Sequence, residues 1–357
     1  MSTVGILTFH RAINFGATMQ AWALAKTVDS LGYDASIIDY KDNWVEMSSH
    51  IWNPFVLTTR KNVLISLKSY FDRFSFLNER KARIQKFKDF WKTDMPFSSN
   101  LIYDNYIVGS DQVWNLHITG GFNPFYFLSF NESVGKNKLS YAASGDFDPA
   151  NLIGKHKAEI SKFLSDFTAV SVREEFLKEE IGNLCDKDIS ICIDPTLLLD
   201  KSKYQAIEKK PQKQNYILVY QMMENQKLKE AADFLSRTTG LDVVYVYGGA
   251  YRKNVDNSHI SVYGPDEVLG WFDDATYVLT TSFHGVAFSL IYQKQFWFVS
   301  TGSGYRQKSL MQSVGLEHRV ISGRNDMNLN NIDFDTVNKH LDALRNDSID
   351  FLRKALR

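Results

Sequence analysis

The chain has 357 residues, and at roughly 150 residues per domain this length predicts about two domains. Its 44% hydrophobic and 23% charged content is that of a globular protein, and 41 Lys and Arg balance 41 Asp and Glu. This balance excludes a global electrostatic field that would attract nucleic acid or an anionic membrane, so any charged partner must bind locally.

Three features favour a protein of the cytoplasm. Residues 1–9 lack the basic and apolar regions of a secretory signal. The longest apolar runs are interrupted well short of the roughly 18 residues that span a bilayer. The two cysteines, Cys185 and Cys192, have no histidine near them in sequence and match neither a zinc site nor a disulfide framework. We therefore expect a cytoplasmic protein without a metal site.

The first forty residues alternate strand, helix and strand. The pattern predicts an apolar strand at residues 4–9, a helix at 17–31 that stops at Gly32, and a second strand at 35–39. In open parallel sheets, ligands bind beyond the carboxyl ends of the strands. The loop after the first strand therefore supplies candidate site residues, which are His10, Arg11, Asn14 and Gly16.

Residues 45–95 lack this alternation and are basic and aromatic. Apolar residues at helical spacing near 64–74 and 84–91 predict two amphipathic helices with cationic flanks. One interpretation is a helical insertion packed on the domain with a solvated basic face. The other is a surface for a membrane interface or a diphosphate-bearing substrate. The basic residues are Arg60, Lys61, Lys68, Arg73, Arg80, Lys81, Arg83, Lys86, Lys88 and Lys92.

Strand and helix alternation then resumes and continues through both halves of the chain. The predicted strands lie at 101–108, 138–143, 169–172, 189–193, 216–221, 243–247, 277–281 and 296–300. The polar stretch 201–214 is the best linker, and two α/β domains joined there predict a ligand cleft between them. The strand ends deliver further candidate site residues, which are Ser110, Asp111, Arg173, Ser282, His284, Gly285, Arg306 and Lys308.

Most of these residues are cationic or neutral and polar, which is typical of anion binding. The chain has no dinucleotide or Walker glycine loop, no Gly-x-Ser-x-Gly elbow and no His-Glu-x-x-His motif. His284 either binds phosphate and transfers protons or is a structural residue at a helix start. Arg173 either binds an anion or pairs with Glu174 or Glu179. Asp111 either acts as a base or caps a turn.

Five segments occur in an order that is specific when they are taken together. They are Gly5-Ile-Leu-Thr-Phe-His-Arg-Ala-Ile-Asn-Phe-Gly-Ala-Thr-Met-Gln-Ala21, Val108-Gly-Ser-Asp-Gln-Val-Trp-Asn115, Ser171-Val-Arg-Glu174, Asp194-Pro-Thr196 and Ser282-Phe-His-Gly285. With these segments the chain resembles the polysaccharide pyruvyl transferase family over roughly residues 4–320, and the basic insertion is the part least covered.

The resemblance implies an α/β protein with two Rossmann-like domains in a GT-B-type arrangement and the active site in the interdomain cleft. It implies phosphoenolpyruvate as donor and a sugar of a surface-polysaccharide precursor as acceptor. The product is a cyclic ketal across two sugar hydroxyls, phosphate is released, and no cofactor is needed. The expected domains are 1–205, which carries the insertion at about 45–95, and 206–357, whose last helix is a candidate for packing back on the first domain.

The resemblance also implies roles for single residues. Family members place an Arg after the Ser-Val strand and a His in the second strand-to-helix turn, which match Arg173 and His284. Some relatives have an Arg where this chain has Ser282, so Arg306, Lys308 or Arg11 is expected to compensate. His284 and Asp111 are the expected acid and base. The expected donor ligands are Arg173, Ser282, His284, Gly285, Arg306 and Lys308, and the expected acceptor ligands are His10, Arg11, Asn14, Gly16 and Ser110.

Two other functions fit the same architecture. The first is a GT-B-type glycosyltransferase, because the diphosphate of a nucleotide-sugar donor would contact similar groups. The second is a glycan-binding or assembly protein that keeps the cleft without turnover. For the enzyme of exopolysaccharide or capsule biosynthesis, we expect an acceptor oligosaccharide on a lipid diphosphate. The enzyme would then make peripheral contact with the inner face of the cytoplasmic membrane.

Overall fold

Two parallel β-sheets form the framework of the protein. The structure is a computed structural model that describes residues 1–42, 45, 76–145, 154–248, 258–300 and 304–356. The first sheet has the order β3-β2-β1-β4-β5. Its strands are β1 (Thr3–Leu7), β2 (Asp34–Ile38), β3 (Phe97–Ser98), β4 (Asn105–Val108) and β5 (Asn137–Ser140).

A parallel pair of strands extends this first sheet beyond β5. The pair consists of β6 (Val170–Val172) and β7 (Ile189–Ile191). Parallel bridges join Leu139 to Ala169 and Ala143 to Val172, so β6 lies alongside β5.

The second sheet repeats the topology of the first. It has the order β10-β9-β8-β11-β12-β13 with parallel pairing throughout. Its strands are β8 (Tyr216–Gln221), β9 (Val243–Tyr247), β10 (His259–Ile260), β11 (Ala275–Thr280), β12 (Gln295–Val299) and β13 (Val320–Ile321). Each sheet thus has the third-second-first-fourth-fifth order of a Rossmann fold. The predicted class, α/β with two Rossmann-like halves, is confirmed.

Helices connect the strands, as parallel pairing requires. They are α1 (Phe15–Ser30), α2 (Leu77–Asp94), α3 (Gly154–Ser165), α4 (Glu175–Gly182), α5 (Lys201–Gln205), α6 (Gln226–Thr239), α7 (Pro265–Asp274), α8 (Phe283–Ile291), α9 (Tyr305–Ser313) and α10 (Phe334–Ala355). Side-chain caps set several of the starts, since Asn14 accepts from Ala17 N and Asn225 accepts from Leu228 N. No helix in the described ranges is long and apolar enough to cross a membrane.

The observed elements differ from the predicted ones mainly at edges and ends. Helix α1 begins at Phe15 instead of 17, because the Asn14 cap places Phe15 and Gly16 in the first turn. Strands β3, β10 and β13 have two residues each, which is too short for a hydrophobic period to show in the sequence.

The stretch predicted as a linker, 201–214, is packed firmly against α7. It contains α5, and the Lys209 N–H donates to the Asp266 carbonyl at 2.9 Å. A Cβ on Gly270 would lie 2.2 Å from the Lys209 carbonyl oxygen, so only glycine permits this approach. We retain 1–205 and 206–357 as proposed domain limits.

Helix α2 is the part of the basic insertion that the structure describes, and it packs against the second sheet. The helix predicted near 64–74 lies outside the described residues. Arg83 is buried and donates to the Tyr247 carbonyl at 3.1 Å and the Gly248 carbonyl at 2.8 Å, at the end of β9. Lys86 pairs with Glu267 of α7 at 2.5 Å. Arg83 is therefore not part of a solvated basic face, whereas Lys81, Lys88 and Lys92 of the same helix are exposed.

The two halves share one apolar core. The centre of the Phe15 ring of α1 lies 4.7 Å from the centre of the Phe288 ring and 6.0 Å from that of the Tyr220 ring, both in the second half. The last helix, α10, contacts the first sheet, where Asn137 Nδ2 donates to the Ala355 carbonyl at 2.8 Å. Motion of one half against the other must therefore disrupt buried contacts on both sides of the cleft.

We expect Arg83→Met to destabilise the protein and Lys81→Met to leave its stability nearly unchanged. Arg83→Met removes two charge-assisted hydrogen bonds and leaves two carbonyls without these donors, so the free energy of unfolding should fall by about 2–4 kcal/mol. Lys81 is exposed on the same helix, and its replacement should change that free energy by less than about 0.5 kcal/mol. Thermal unfolding of both variants measures the difference. Equal melting temperatures would contradict the packing role of Arg83.

Candidate active site

The candidate site lies where carboxyl ends of strands from the first sheet meet the start of α8 in the second half. Arg173 directly follows β6, and Asp194 follows β7 by three residues. His284 stands in the first turn of α8, in the strand-to-helix connection that follows β11. These three residues come together although they are distant in sequence, because parallel strands end at the same edge of a sheet.

The carboxylate of Asp194 is fully buried at the centre of the group. Its Oδ1 accepts from the main-chain N–H of Thr196 at 2.9 Å and from the Thr196 hydroxyl at 2.7 Å. Its Oδ2 lies 3.0 Å from Arg173 Nη2 and 3.7 Å from His284 Nε2. Burial raises the pKa of Asp194, but the Arg173 and His284 charges and the Thr196 bonds outweigh it and leave the pKa well below its usual range.

Arg173 is held in place and still has unused donors. Besides the ion pair with Asp194, its Nη2 donates to the Ser110 hydroxyl, and its guanidinium lies 5.1 Å from the centre of the Phe283 ring. Its Nε and Nη1 are buried without a partner. Of the expected ion-pair partners, Glu174 instead accepts from Ser144 Oγ at 2.7 Å.

The ring of His284 is packed against the first turn of α1. A Cβ on Gly16 would lie 2.0 Å from His284 Nδ1, so Gly16 is the residue that lets the two halves approach here. A Cβ on Gly285 would likewise lie 2.0 Å from Thr280 Oγ1. His284 Nε2 is fully buried without a hydrogen-bond partner. These two glycines therefore act through close packing, which their predicted roles as ligands did not include.

Arg306 brings a second guanidinium to the first half. Its nitrogens lie 3.2 and 3.3 Å from the side-chain amide of Gln112, which accepts from them when its oxygen faces the guanidinium. Burial and the neighbouring charge of Arg173 lower the pKa of Arg306. Among the described residues, Arg306 makes no ion pair within 4.0 Å. Lys308 is exposed on the same helix, α9.

Two carboxylates flank the guanidinium groups. Glu174 is buried, its Oε2 has no partner, and burial raises its pKa. Asp111 stands in the left-handed region at φ 58°, and its Oδ1 accepts from the Gln112 N–H at 2.9 Å. This hydrogen bond supports the turn-capping interpretation of Asp111. The same carboxylate also interacts electrostatically with Arg306.

His10 and Arg11 form a separate cluster with Asp39, which follows β2. Arg11 binds both oxygens of Asp39, with Nη2 at 2.6 Å from Oδ2. The ring nitrogens of His10 face the Thr8 carbonyl at 2.8 Å and Asp39 Oδ1 at 3.2 Å. The hydrogen bonds from His10 and Arg11 hold the pKa of Asp39 well below its usual range.

Three other predicted ligands have local roles in the structure. The Asn14 side chain caps α1, Ser110 accepts from Arg173, and the Ser282 N–H donates to Thr280 Oγ1 at 3.0 Å. Ser282 makes no side-chain cap for α8. The structure thus brings Arg173, His284, Arg306 and Ser110 together. The cluster of His10, Arg11 and Asp39 lies apart from them, beyond the ends of β1 and β2.

Sequence reasoning gave no role to Asp194 or Gln112 and considered Glu174 only as an ion-pair partner of Arg173. Each of the three lies within one of the five segments that carry the family resemblance, so the signal was present. The roles of Asp194 and Gln112 were not predicted, because their contacts with Arg173 and Arg306 join residues far apart in the chain.

The arrangement is suited to a small ligand with several negative charges. The guanidinium groups of Arg173 and Arg306 interact electrostatically, and His284 faces the carboxylate that pairs with Arg173. Arg173 Nε and Nη1 have no hydrogen-bond partner. Buried donors without acceptors are costly, and a bound anion would satisfy them.

Solved structures with similar chains have low sequence identity. A UDP-GlcNAc 2-epimerase from Methanocaldococcus jannaschii is 11% identical, with a TM-score of 0.45 over 97% of this chain and 93% of its own. A glycosyltransferase from Streptomyces sp. SF2575 is 10% identical, with a TM-score of 0.41 over 97% and 96%. No match was found among proteins with curated descriptions.

The comparison with protein families gives a more specific result. The model of the family described as polysaccharide pyruvyl transferase matches residues 14–303, which is most of the chain and includes Arg173, Asp194 and His284. This match confirms the resemblance carried by the five segments and identifies an enzyme that transfers a chemical group. The chain belongs to the polysaccharide pyruvyl transferase family.

Proposed function

We propose that this enzyme transfers pyruvate from phosphoenolpyruvate to two hydroxyls of one sugar in a surface-polysaccharide precursor. The observation that carries the proposal is the pair of unpaired N–H donors of Arg173, Nε and Nη1, beside the guanidinium of Arg306 and the imidazole of His284. Phosphoenolpyruvate carries a carboxylate and a phosphate on one three-carbon frame, so a pocket with two guanidinium groups and an imidazole matches its charge.

In the proposed donor site, the two arginines bind the anionic groups of phosphoenolpyruvate. Arg306 supplies the cation that Ser282 cannot, because its guanidinium lies near Arg173 and contacts the Gln112 amide instead of a carboxylate. Lys308 is exposed and attracts the donor from solvent. Ser282 and the Gly285 backbone, at the start of α8, complete the donor site.

The proposed reaction begins with a proton transfer. His284 gives a proton to the methylene carbon of phosphoenolpyruvate, and the electron pair of the carbon–carbon double bond forms the new C–H bond. The adjacent carbon becomes an oxocarbenium-like centre, which the first sugar hydroxyl attacks while Asp111 accepts its proton.

The second half of the reaction closes the ketal. The carbon–oxygen bond to phosphate breaks, and the second hydroxyl attacks the same carbon. Of the two hydroxyl protons released, one replaces the proton that His284 donated and the other leaves on phosphate. The acceptor sugar is proposed to lie on the first half of the cleft, beside Ser110, Gly16, Asn14 and the His10, Arg11 and Asp39 cluster.

We further propose that the acceptor is linked to a lipid diphosphate and that the enzyme works in the cytoplasm, at the inner face of the membrane. The support is the outward side of α2, where Lys81, Lys88 and Lys92 are exposed at helical spacing on one face. Arg80 and Arg83 are buried, so they do not belong to this surface. Each exposed lysine near an anionic surface contributes about 1 kcal/mol of attraction.

Phosphoenolpyruvate should raise the melting temperature, and UDP-sugars should not. A ligand that binds only the folded state stabilises it by mass action, by about 2.7 kcal/mol at a hundredfold excess over its Kd. Thermal unfolding with each ligand measures the shift, and Arg173→Ala should reduce it. A shift with a UDP-sugar and none with phosphoenolpyruvate would instead support the glycosyltransferase.

Substitution of the two central residues should affect different kinetic constants. Arg173→Ala should raise the KM for phosphoenolpyruvate roughly ten- to a hundredfold, because a charged hydrogen bond contributes about 1.5–3 kcal/mol. His284→Ala should lower kcat by about 10²–10⁴-fold, because the proton donor is lost. Steady-state phosphate release with a sugar acceptor measures both constants.

Exposed residues of the second half provide matched controls. Arg324→Ala and His318→Ala remove the same residue types from exposed positions, and both constants should stay unchanged. Near-normal kcat and KM in His284→Ala would rule out its proposed role.

Reversing the exposed lysines of α2 should weaken binding to anionic liposomes at low salt. The variant Lys81→Glu, Lys88→Glu, Lys92→Glu should lose association and activity on a lipid-linked acceptor, and it should keep its activity on a soluble sugar. The control changes the same amount of charge on α6, through Lys227→Glu, Lys229→Glu, Arg237→Glu. If the wild type does not bind the liposomes, or if both variants lose equally, α2 has no membrane role.

A further inference from the structure

We propose that Asp194 is a positioning residue that sets which ring nitrogen of His284 carries the proton and which one faces the donor. In the reacting state, His284 Nε2–H donates to Asp194 Oδ2, and Nδ1 is the nitrogen that transfers the proton. The expected effect on kcat rests on the proposed function. The position of the proton on His284 does not depend on the identity of the donor.

The contacts of Asp194 leave one oxygen for this purpose. Oδ1 accepts from the N–H and the hydroxyl of Thr196, so it cannot turn toward the site. Oδ2 lies 3.0 Å from Arg173 Nη2 and 3.7 Å from His284 Nε2. The distance to Nε2 exceeds a hydrogen bond by a few tenths of an ångström, and bonds of this kind commonly shorten when the ligand binds.

The two nitrogens of His284 have different surroundings. Nε2 is fully buried, and the Asp194 carboxylate lies 3.7 Å from it. Nδ1 lies on the side of the ring that packs against Gly16, and it is not fully buried. A neutral imidazole carries one proton, and a carboxylate beside Nε2 favours that proton on Nε2. Nδ1 is therefore left as the nitrogen that can exchange a proton with a ligand.

Asp194 is rigid enough to act in this way. It caps the short 3-10 helix Pro195–Leu198, which is buried and packs on α1, α8 and α10. The Tyr204 hydroxyl donates to the Thr196 carbonyl at 2.7 Å and fixes the turn from its other side. The carboxylate thus belongs to the first half of the chain, whereas the imidazole that it faces begins a helix of the second half.

In the proton transfer, the imidazolium of His284 loses the Nδ1 proton to the methylene carbon and keeps the proton on Nε2. The carboxylate stays ionised and accepts the Nε2–H bond before and after the step, so its charge stabilises the imidazolium that must form again in each turnover. Arg173 shares the Asp194 carboxylate with this ring, and Arg306, Glu174 and Asp111 are the charged groups that interact with one another beside Arg173.

The test is Asp194→Asn, in which a known contact dictates the orientation of the new amide. The Thr196 N–H and hydroxyl both donate to Oδ1, so the Asn oxygen should keep that position. The amide NH₂ should then take the Oδ2 position, where Arg173 Nη2 loses its acceptor. That NH₂ is a donor, and it would face His284 Nε2, which must then accept. The neutral imidazole should therefore switch to the form with its proton on Nδ1.

Nitrogen NMR of histidine-labelled protein without substrate distinguishes the two forms, and the His284 signals are assigned by their loss in His284→Gln. We expect the Nε2–H form in the wild type and the Nδ1–H form in Asp194→Asn. Thr196→Val, which keeps the carboxylate, should retain the Nε2–H form. Asp39→Asn, which removes the carboxylate facing His10, should leave the His284 signals unchanged. A wild-type Nδ1–H form, or no change in Asp194→Asn, would overturn the proposal.

Kinetics provide the second readout. Asp194→Asn should lower kcat at least tenfold, toward the roughly 10⁴-fold that a wrong tautomer costs. The KM for phosphoenolpyruvate should rise less than in Arg173→Ala, because Arg173 loses its ion pair with Asp194 but keeps its contacts with Ser110 and Phe283. A role limited to folding predicts a lower melting temperature with normal kcat per folded molecule, and that result would overturn the proposal. If the tautomer switches but phosphoenolpyruvate is not turned over by the wild type, only the proposed function fails.

Discussion

The site is organised around the ion pair between Asp194 and Arg173, which is buried at the carboxyl end of the first sheet. Removing one partner of such a pair leaves an uncompensated charge and costs about 3–5 kcal/mol, so each residue requires the other. The pair also sets the position of everything nearby. Ser110 contacts the same guanidinium nitrogen, and the centre of the Phe283 ring lies 5.1 Å from the guanidinium carbon. His284 Nε2 lies 3.7 Å from the carboxylate.

Arg306 has no direct ion-pair partner within 4.0 Å among the described residues, although Glu174 and Asp111 interact with it electrostatically. Arg306 and the unused donors of Arg173 stand close together, and among the described contacts Arg306 meets an amide where a carboxylate would neutralise it. Holding two guanidinium groups together without a ligand raises the free energy of the folded state. An anion with two charged groups relieves this repulsion, so the same feature that destabilises the free enzyme favours binding of its donor.

Close packing between the halves fixes the position of His284 in the site. Gly16 admits the His284 ring against α1, and Gly285 admits α8 against Thr280, each at distances that no Cβ would allow. Arg83 ties the helical insertion to the end of β9, and α10 returns from the second half to the first sheet. The cleft is thus bounded by elements that cross between the halves, and the position of His284 relative to Asp194 depends on all of them.

The sequence by itself determined the α/β class, the two Rossmann-like halves and the family, because these follow from local periodicity and from short segments in a given order. It also singled out Arg173, which directly follows a predicted strand, and His284, which lies in the strand-to-helix turn after another. Only the tertiary structure showed that Asp194 lies between them, that His10 and Arg11 are bound to Asp39, and that Arg83 faces inward. These facts depend on contacts between residues far apart in the chain. The local sequence pattern carries no information about which distant carboxylate or carbonyl a side chain will contact.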